Sequence, residues 1–142
     1  MPARSRAPDL LVDTSVAVAL TVADHEHHET TFTAIGERRL GLAGHAAFET
    51  FSVLTRLPTS ARRTPATVTR LLAASFPHTR FLGAQESASL LADLATVGIA
   101  GGAVYDALVA ACANAHRLTL ATRDRRALET YRALDVSVEL LT

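Results

Sequence analysis

Four acidic residues of this chain sit where an acid is either costly or placed for a purpose. Asp13 closes the apolar run Leu10-Leu11-Val12, and Thr14 and Ser15 lead from it into a second apolar segment that reaches Leu20. That order reads as strand, turn and helix, with Asp13 at the carboxyl end of the strand. Ligands of open α/β sheets bind at that end, although an Asp before a helix is also an ordinary N-cap. Thr122-Arg123-Asp124 repeats the arrangement after Leu118-Thr119-Leu120-Ala121. Glu49 falls near the start of a helix that follows the strand-like run Leu40-Gly41-Leu42-Ala43. Its helical neighbours Ala46, Ser52, Val53 and Arg56 form a mixed face, on which a solvated Glu is equally at home. Asp106 resists a packing explanation most. It shares a helix face with Ala103, Val109, Ala110 and Ala113, where an ionised carboxylate is expensive unless it is paired or bound to a cation.

In a parallel α/β sheet all four positions fall at one edge. Carboxylates gathered at about 4 Å repel by about 4 kcal/mol per pair at an effective dielectric of about 20, so the cluster calls for a cation. Oxygen-only ligation selects a hard divalent ion, Mg²⁺ or Mn²⁺. Such an ion activates water, orients a phosphodiester and stabilises a leaving oxygen.

The elements that must position these acids alternate between strand and helix. Asp24 reads as the cap of a second helix that runs through Phe32 and Ile35 toward Arg38-Arg39. His25, His27 and His28 at its start suggest either a metal site lacking a clear further ligand set or a solvated helix terminus. The helix carrying Glu49 stops at Pro58, and a loop with Arg62 and Arg63 leads to Thr64-Pro65, a strong helix start. That helix ends by Pro77. Thr79 to Leu82 reads as a weak strand, and Gln85 to Val97 as an amphipathic helix with Ala88, Leu91, Leu94 and Ala95 on its apolar side. After a glycine loop over 98–102, the helix carrying Asp106 is apolar nearly all round and is expected to be buried. Val136 to Leu140 reads as a last strand, at an edge. Nothing repeats, and no linker divides 1–142, so a single domain is expected.

Composition narrows the function further. The 142 residues are 49% apolar but only 5% aromatic, which makes a core of Ala, Val and Leu suited to helices packed on a sheet. A lone cysteine, Cys112, excludes an internal disulfide and a cysteine zinc site, and points to the cytoplasm as a reducing compartment. Arg4 and Arg6 precede the first apolar stretch, but Asp13 interrupts it, so a first strand is expected rather than an export signal. No run is long enough to span a bilayer, so no membrane association is expected. Formal net charge is zero, so there is no global basic signature. All 14 basic residues are arginine. Phosphoryl-transfer sites built on an invariant lysine are therefore excluded. Arg117, Arg123, Arg125 and Arg126, near Asp124 in sequence, are candidates for phosphate contacts or for a solvated helix start.

Val12-Asp13-Thr14-Ser15, Phe48-Glu49, Tyr105-Asp106-Ala107-Leu108 and Thr122-Arg123-Asp124 together resemble the motifs of PIN-domain nucleases, in the same order and over nearly the whole chain. Standing alone at this size, the chain looks like the VapC-type toxins of bacterial toxin–antitoxin pairs. The resemblance implies a three-layer α/β/α sandwich with a central parallel sheet, and a Mg²⁺- or Mn²⁺-dependent endoribonuclease that cuts structured RNA, tRNA or ribosomal RNA. It implies Asp13, Glu49, Asp106 and Asp124 as metal-binding acids, with Thr14, Ser15 and Thr122 as hydroxyls near the metal or the scissile phosphate. It also implies a homodimer, held inactive by a cognate antitoxin whose tail enters the acidic site, and products with a 3′ hydroxyl and a 5′ phosphate. The competing reading is a non-catalytic protein that binds RNA or a peptide in the same groove, for which a cluster of negative charge has no use.

Overall fold

The computed structural model of the chain describes residues 8–142, so Arg4 and Arg6 lie outside it. Strand β1 (Leu10–Val12) pairs in parallel with β2 (Leu40–Leu42) on one side and β3 (Leu120–Thr122) on the other. Strand β4 (Val138–Leu140) pairs in parallel with β3, giving the order β2-β1-β3-β4 with the last strand at an edge.

Each strand has only three residues, yet both sheet faces are covered, because successive side chains alternate between them. Leu11 and Leu120 turn toward α6 (Ala103–Ala115) and α7 (Leu128–Ala133), meeting Val109, Ala110, Ala113 and Tyr131. Leu10, Val12 and Ala121 turn the other way. They pack with Val16 and Ala17 of α1 (Thr14–Thr21), Ile35 of α2 (His28–Ile35), and Phe76 at the end of α4 (Pro65–Ser75). A sheet loaded on both faces needs uninterrupted apolar runs, which is why Leu10-Leu11-Val12 does not alternate with polar residues. With α3 (His45–Thr55) and α5 (Ala84–Val97), the described residues hold seven helices around the sheet. The result is the expected three-layer α/β/α sandwich.

The order of strands decides where a ligand can sit. From β1 the chain passes through α1 and α2 to β2 on one side, then returns through α3 to α6 to β3 on the other. The connections therefore diverge at β1 and β3, and the crevice at their carboxyl ends is the topological switch point of the sheet.

Several local expectations change. Asp24 does not cap α2: the helix begins at His28, and His27 occupies the cap position without a side-chain bond. Thr79 to Leu82 forms no full strand, only one parallel bridge between Arg80 and Ala43. The reason lies in Thr79, whose hydroxyl accepts the Leu42 N–H at 3.0 Å in place of a partner strand's carbonyl. Helix α5 buries Leu90, whereas Leu91 is 74% exposed, so its inward stripe is offset from the one expected. Helix α6 is not buried all round either, since Tyr105 stands half in solvent. Cys112 is buried and unpaired, its thiol donating to the Arg80 carbonyl, and burial pushes it up to about 11. A thiol held that far from ionisation is core filler.

Candidate active site at the sheet edge

Asp13 follows β1 directly and is 4% exposed. Its Oδ1 accepts the Val16 N–H at 3.2 Å, so the residue is the N-cap of α1. The cap and the site are one side chain. Ser15 donates to the same Oδ1 at 2.6 Å, while the hydroxyls of Thr122 and Tyr131 donate to Oδ2, the latter at 2.9 Å. Burial raises the proton affinity of Asp13, and these four donors oppose it.

The hydroxyls also tie Asp13 to the end of β3. Ser15 Oγ accepts the Arg123 N–H at 2.9 Å, and Thr122 Oγ1 accepts the Asp124 N–H at 3.0 Å. Ser15 and Thr122 thus work as two-way links between β1 and β3. Asp124 caps the short 3₁₀ turn that precedes α7, taking the Arg126 N–H at 3.0 Å, and its carboxylate is 3.3 Å from the Arg126 guanidinium. On α3, Glu49 accepts from the Thr14 hydroxyl at 3.1 Å, with His45 Nε2 at 4.0 Å from its other oxygen. Asp106, in the first turn of α6, is half-buried. Burial, then Asp124, Glu49 and Asp13 in decreasing order, raise its proton affinity.

All four carboxylates line one pocket of about 170 Å³, together with Thr14, Ser15, Val109, Arg126 and Tyr131. They ring it without converging. Among the described residues no three acid, histidine or cysteine side chains stand at preformed metal-ligating spacing. Mutual repulsion keeps unneutralised carboxylates apart. The donor set, oxygen throughout and lining a pocket of that size, fits a hard divalent ion that keeps part of its water shell.

Two site residues escape the sequence reading. Tyr131 is 1% exposed and holds Asp13 from the far end of the chain, but in sequence it looks like a core aromatic. His45 precedes Glu49 by one helical turn, the only signal it carries. Of the arginines, Arg126 lines the pocket, whereas Arg117 precedes β3 and lies at the opposite edge of the sheet from Asp124.

Tyr131→Phe keeps the ring and removes one donor from a buried carboxylate. Unfolding in urea should show a loss of about 1.5–3 kcal/mol, the worth of one hydrogen bond to a carboxylate, since Thr122 still donates to the same oxygen.

A parallel sheet with acids at its switch point is the arrangement of PIN domains, and the PIN domain family model matches residues 10–133: the chain belongs to that family. Within it the chain is 47% identical to Ribonuclease VapC27 of Mycobacterium tuberculosis over 131 residues, covering 92% of this chain and 96% of that protein. It is 46% identical to Ribonuclease VapC40 of the same species, with 92% and 97% covered. Solved structures share the fold at lower identity. FitAcB of Neisseria gonorrhoeae superposes with a TM-score of 0.64 at 22% identity, covering 91% of this chain and 95% of that one. PAE2754 of Pyrobaculum aerophilum gives 0.54 at 22%, with 93% and 91% covered.

Proposed function

We propose that this chain is a divalent-metal-dependent endoribonuclease that cuts structured RNA, tRNA or ribosomal RNA, as the toxin of a toxin–antitoxin pair. The observation that carries the reading is the single pocket lined by Asp13, Glu49, Asp106 and Asp124, which arrive from four separate segments. The ribonuclease names of relatives 46–47% identical support it.

In this reading the four carboxylates hold Mg²⁺ or Mn²⁺. When bound, the ion supplies neutralising charge and Lewis acidity toward water and a phosphodiester. Ser15, Thr122 and Tyr131 fix the Asp13 carboxylate, and Thr14 fixes that of Glu49. Arg126, at the pocket wall, meets phosphate oxygens. Water attacks phosphorus in line, the bond to the 3′ oxygen breaks, and the proton of the water ends on that oxygen. The products are a 3′ hydroxyl and a 5′ phosphate. A cognate antitoxin silences the toxin by placing its tail in the acidic pocket. The protein pairs with a second copy, for which the adjoining exposed rings of Phe48 and Phe81, centroids 6.1 Å apart, offer apolar surface. Among the described residues no helix is long and apolar enough to cross a membrane, and the reading places the protein in the cytoplasm.

Purified protein free of antitoxin, incubated with total RNA in Mg²⁺ or Mn²⁺, should produce discrete new 5′ ends that disappear in EDTA. Intact RNA with both metals, from protein with a cooperative melt, would overturn the proposal.

A further inference from the structure

The histidine-rich stretch before α2 divides in the fold. His28 Nδ1 is 2.8 Å from the Ala19 carbonyl, so this ring pins α2 to α1. His25 and His27 turn elsewhere. With Val18, Glu26, Val53 and Arg123 they line an open cleft of about 420 Å³, and that cleft shares Thr14 and Ser15 with the acidic pocket.

We propose that this cleft binds the unpaired RNA nucleotide adjoining the scissile phosphate. The inference rests on the ribonuclease reading above and names the part of the substrate that the acids themselves cannot hold. At about 170 Å³ the acidic pocket takes an ion and a phosphoryl group but no base. The neighbouring cleft falls within the usual size of small-ligand sites, about 300–1,000 Å³.

Its lining suits a nucleotide. Val18 and Val53 give an apolar surface for a base, and the rings of His25 and His27, centroids 5.7 Å apart and tilted by 48°, add aromatic faces. The His27 N–H donates to His25 Nδ1 at 3.0 Å, so neutral His25 carries its proton on Nε2, a donor for a base edge or phosphate. Arg123 supplies the cation. Its Nη1 donates to Thr31 at 3.1 Å, and its backbone N–H is bound to Ser15, which fixes the side chain relative to Asp13. Glu26, whose carboxylate lies 3.5 Å from His27 Nε2, is 83% exposed at the side chain and remains in solvent. The cleft of about 390 Å³ between α2 and the end of α4 shares no residue with the acidic pocket.

The test measures binding apart from cleavage. In Asp106→Asn protein, a short labelled single-stranded RNA of mixed sequence is titrated by fluorescence anisotropy. Adding His25→Ala with His27→Ala, or Arg123→Gln, should weaken binding about tenfold, the size of one lost base-stacking contact. In the cleaving protein the same changes should raise KM by about that factor and leave kcat within about twofold. Unchanged affinity and KM in variants that melt normally would overturn the proposal. If the double histidine variant melts early, the ring resonances of His25 and His27 in the parent are followed during titration with adenosine 5′-monophosphate. Shifts support the cleft, and their absence overturns it. A parent that binds RNA through these residues but cuts none sinks the nuclease reading alone; one that cuts with KM untouched by the substitutions sinks this inference alone.

Discussion

Asp106→Asn is expected to lower RNA cleavage by at least about a hundredfold while raising the melting temperature of the metal-free protein. The first effect follows from the place of Asp106 in the proposed metal site. Loss of a group that merely supports a metal ligand costs up to about a hundredfold, and loss of the ligand itself costs no less. The second follows from electrostatics. Burial and the neighbouring Asp124, Glu49 and Asp13 make Asp106 harder to ionise in the folded chain than in the unfolded one. The unfolded state therefore ionises first as pH rises through the ordinary aspartate value of 3.8, and the fold loses stability until Asp106 itself has ionised. At neutral pH the full penalty is present, and the neutral amide removes it. Calorimetry in EDTA should show the variant melting higher at pH 7, with the difference shrinking as pH falls through the raised folded-state value toward 3.8 and lost below it. A variant that melts lower at pH 7 would mean that the carboxylate is structural and would argue against a metal-binding role.

Gly41→Ala should be the most damaging single methyl in the chain. Gly41 lies mid-strand in β2, and a Cβ there would stand 2.1 Å from the His78 carbonyl oxygen. That carbonyl belongs to backbone with little room to retreat, because His78 N–H bonds to Leu40 at 3.2 Å and Arg80 N–H bonds to Leu42 at 3.1 Å. The substitution must break this attachment or push β2 away from β1. We expect a loss of about 3 kcal/mol, the upper end for overpacking, read as a fall in melting temperature of roughly 6–12 °C. Gly102→Ala is the control. Its φ of −63° and ψ of −23° suit alanine, and nothing lies within 4 Å of the added carbon. Its stability should hold or rise by up to about 1 kcal/mol.

The sheet and the placement of the acids were legible in the sequence because both depend on local order. An apolar run that meets an acid and then a helix start marks a strand's carboxyl end, directly at Asp13 and after an intervening threonine and arginine at Asp124. Gly41 was visible only as a residue in an apolar run, since its neighbour His78 is supplied by a segment far along the chain. Tyr131 was invisible for the same reason: a buried tyrosine needs a partner for its hydroxyl, but sequence does not say which. The apolar stripe of α5 was misplaced because that helix packs chiefly on α6, and a helix with one neighbour can rotate its burial by a residue without breaking its period. Asp24 lost its cap because the chain makes turns through His25 to His27 before the helix begins, and capping propensity alone does not count turns.

The hydrogen bond from Tyr131 to Asp13 joins residues 118 positions apart. During synthesis that bond cannot form until Tyr131 has left the ribosome, and the Asp13 carboxylate waits equally on Thr122, 109 positions away. Every nascent form that stops short of these residues therefore lacks a finished site, however well its first strand and helices have formed. On the proposed reading, a growing chain has no finished cutting site to turn on its surroundings until that point, and any inhibitor made alongside has the whole of that interval in which to accumulate.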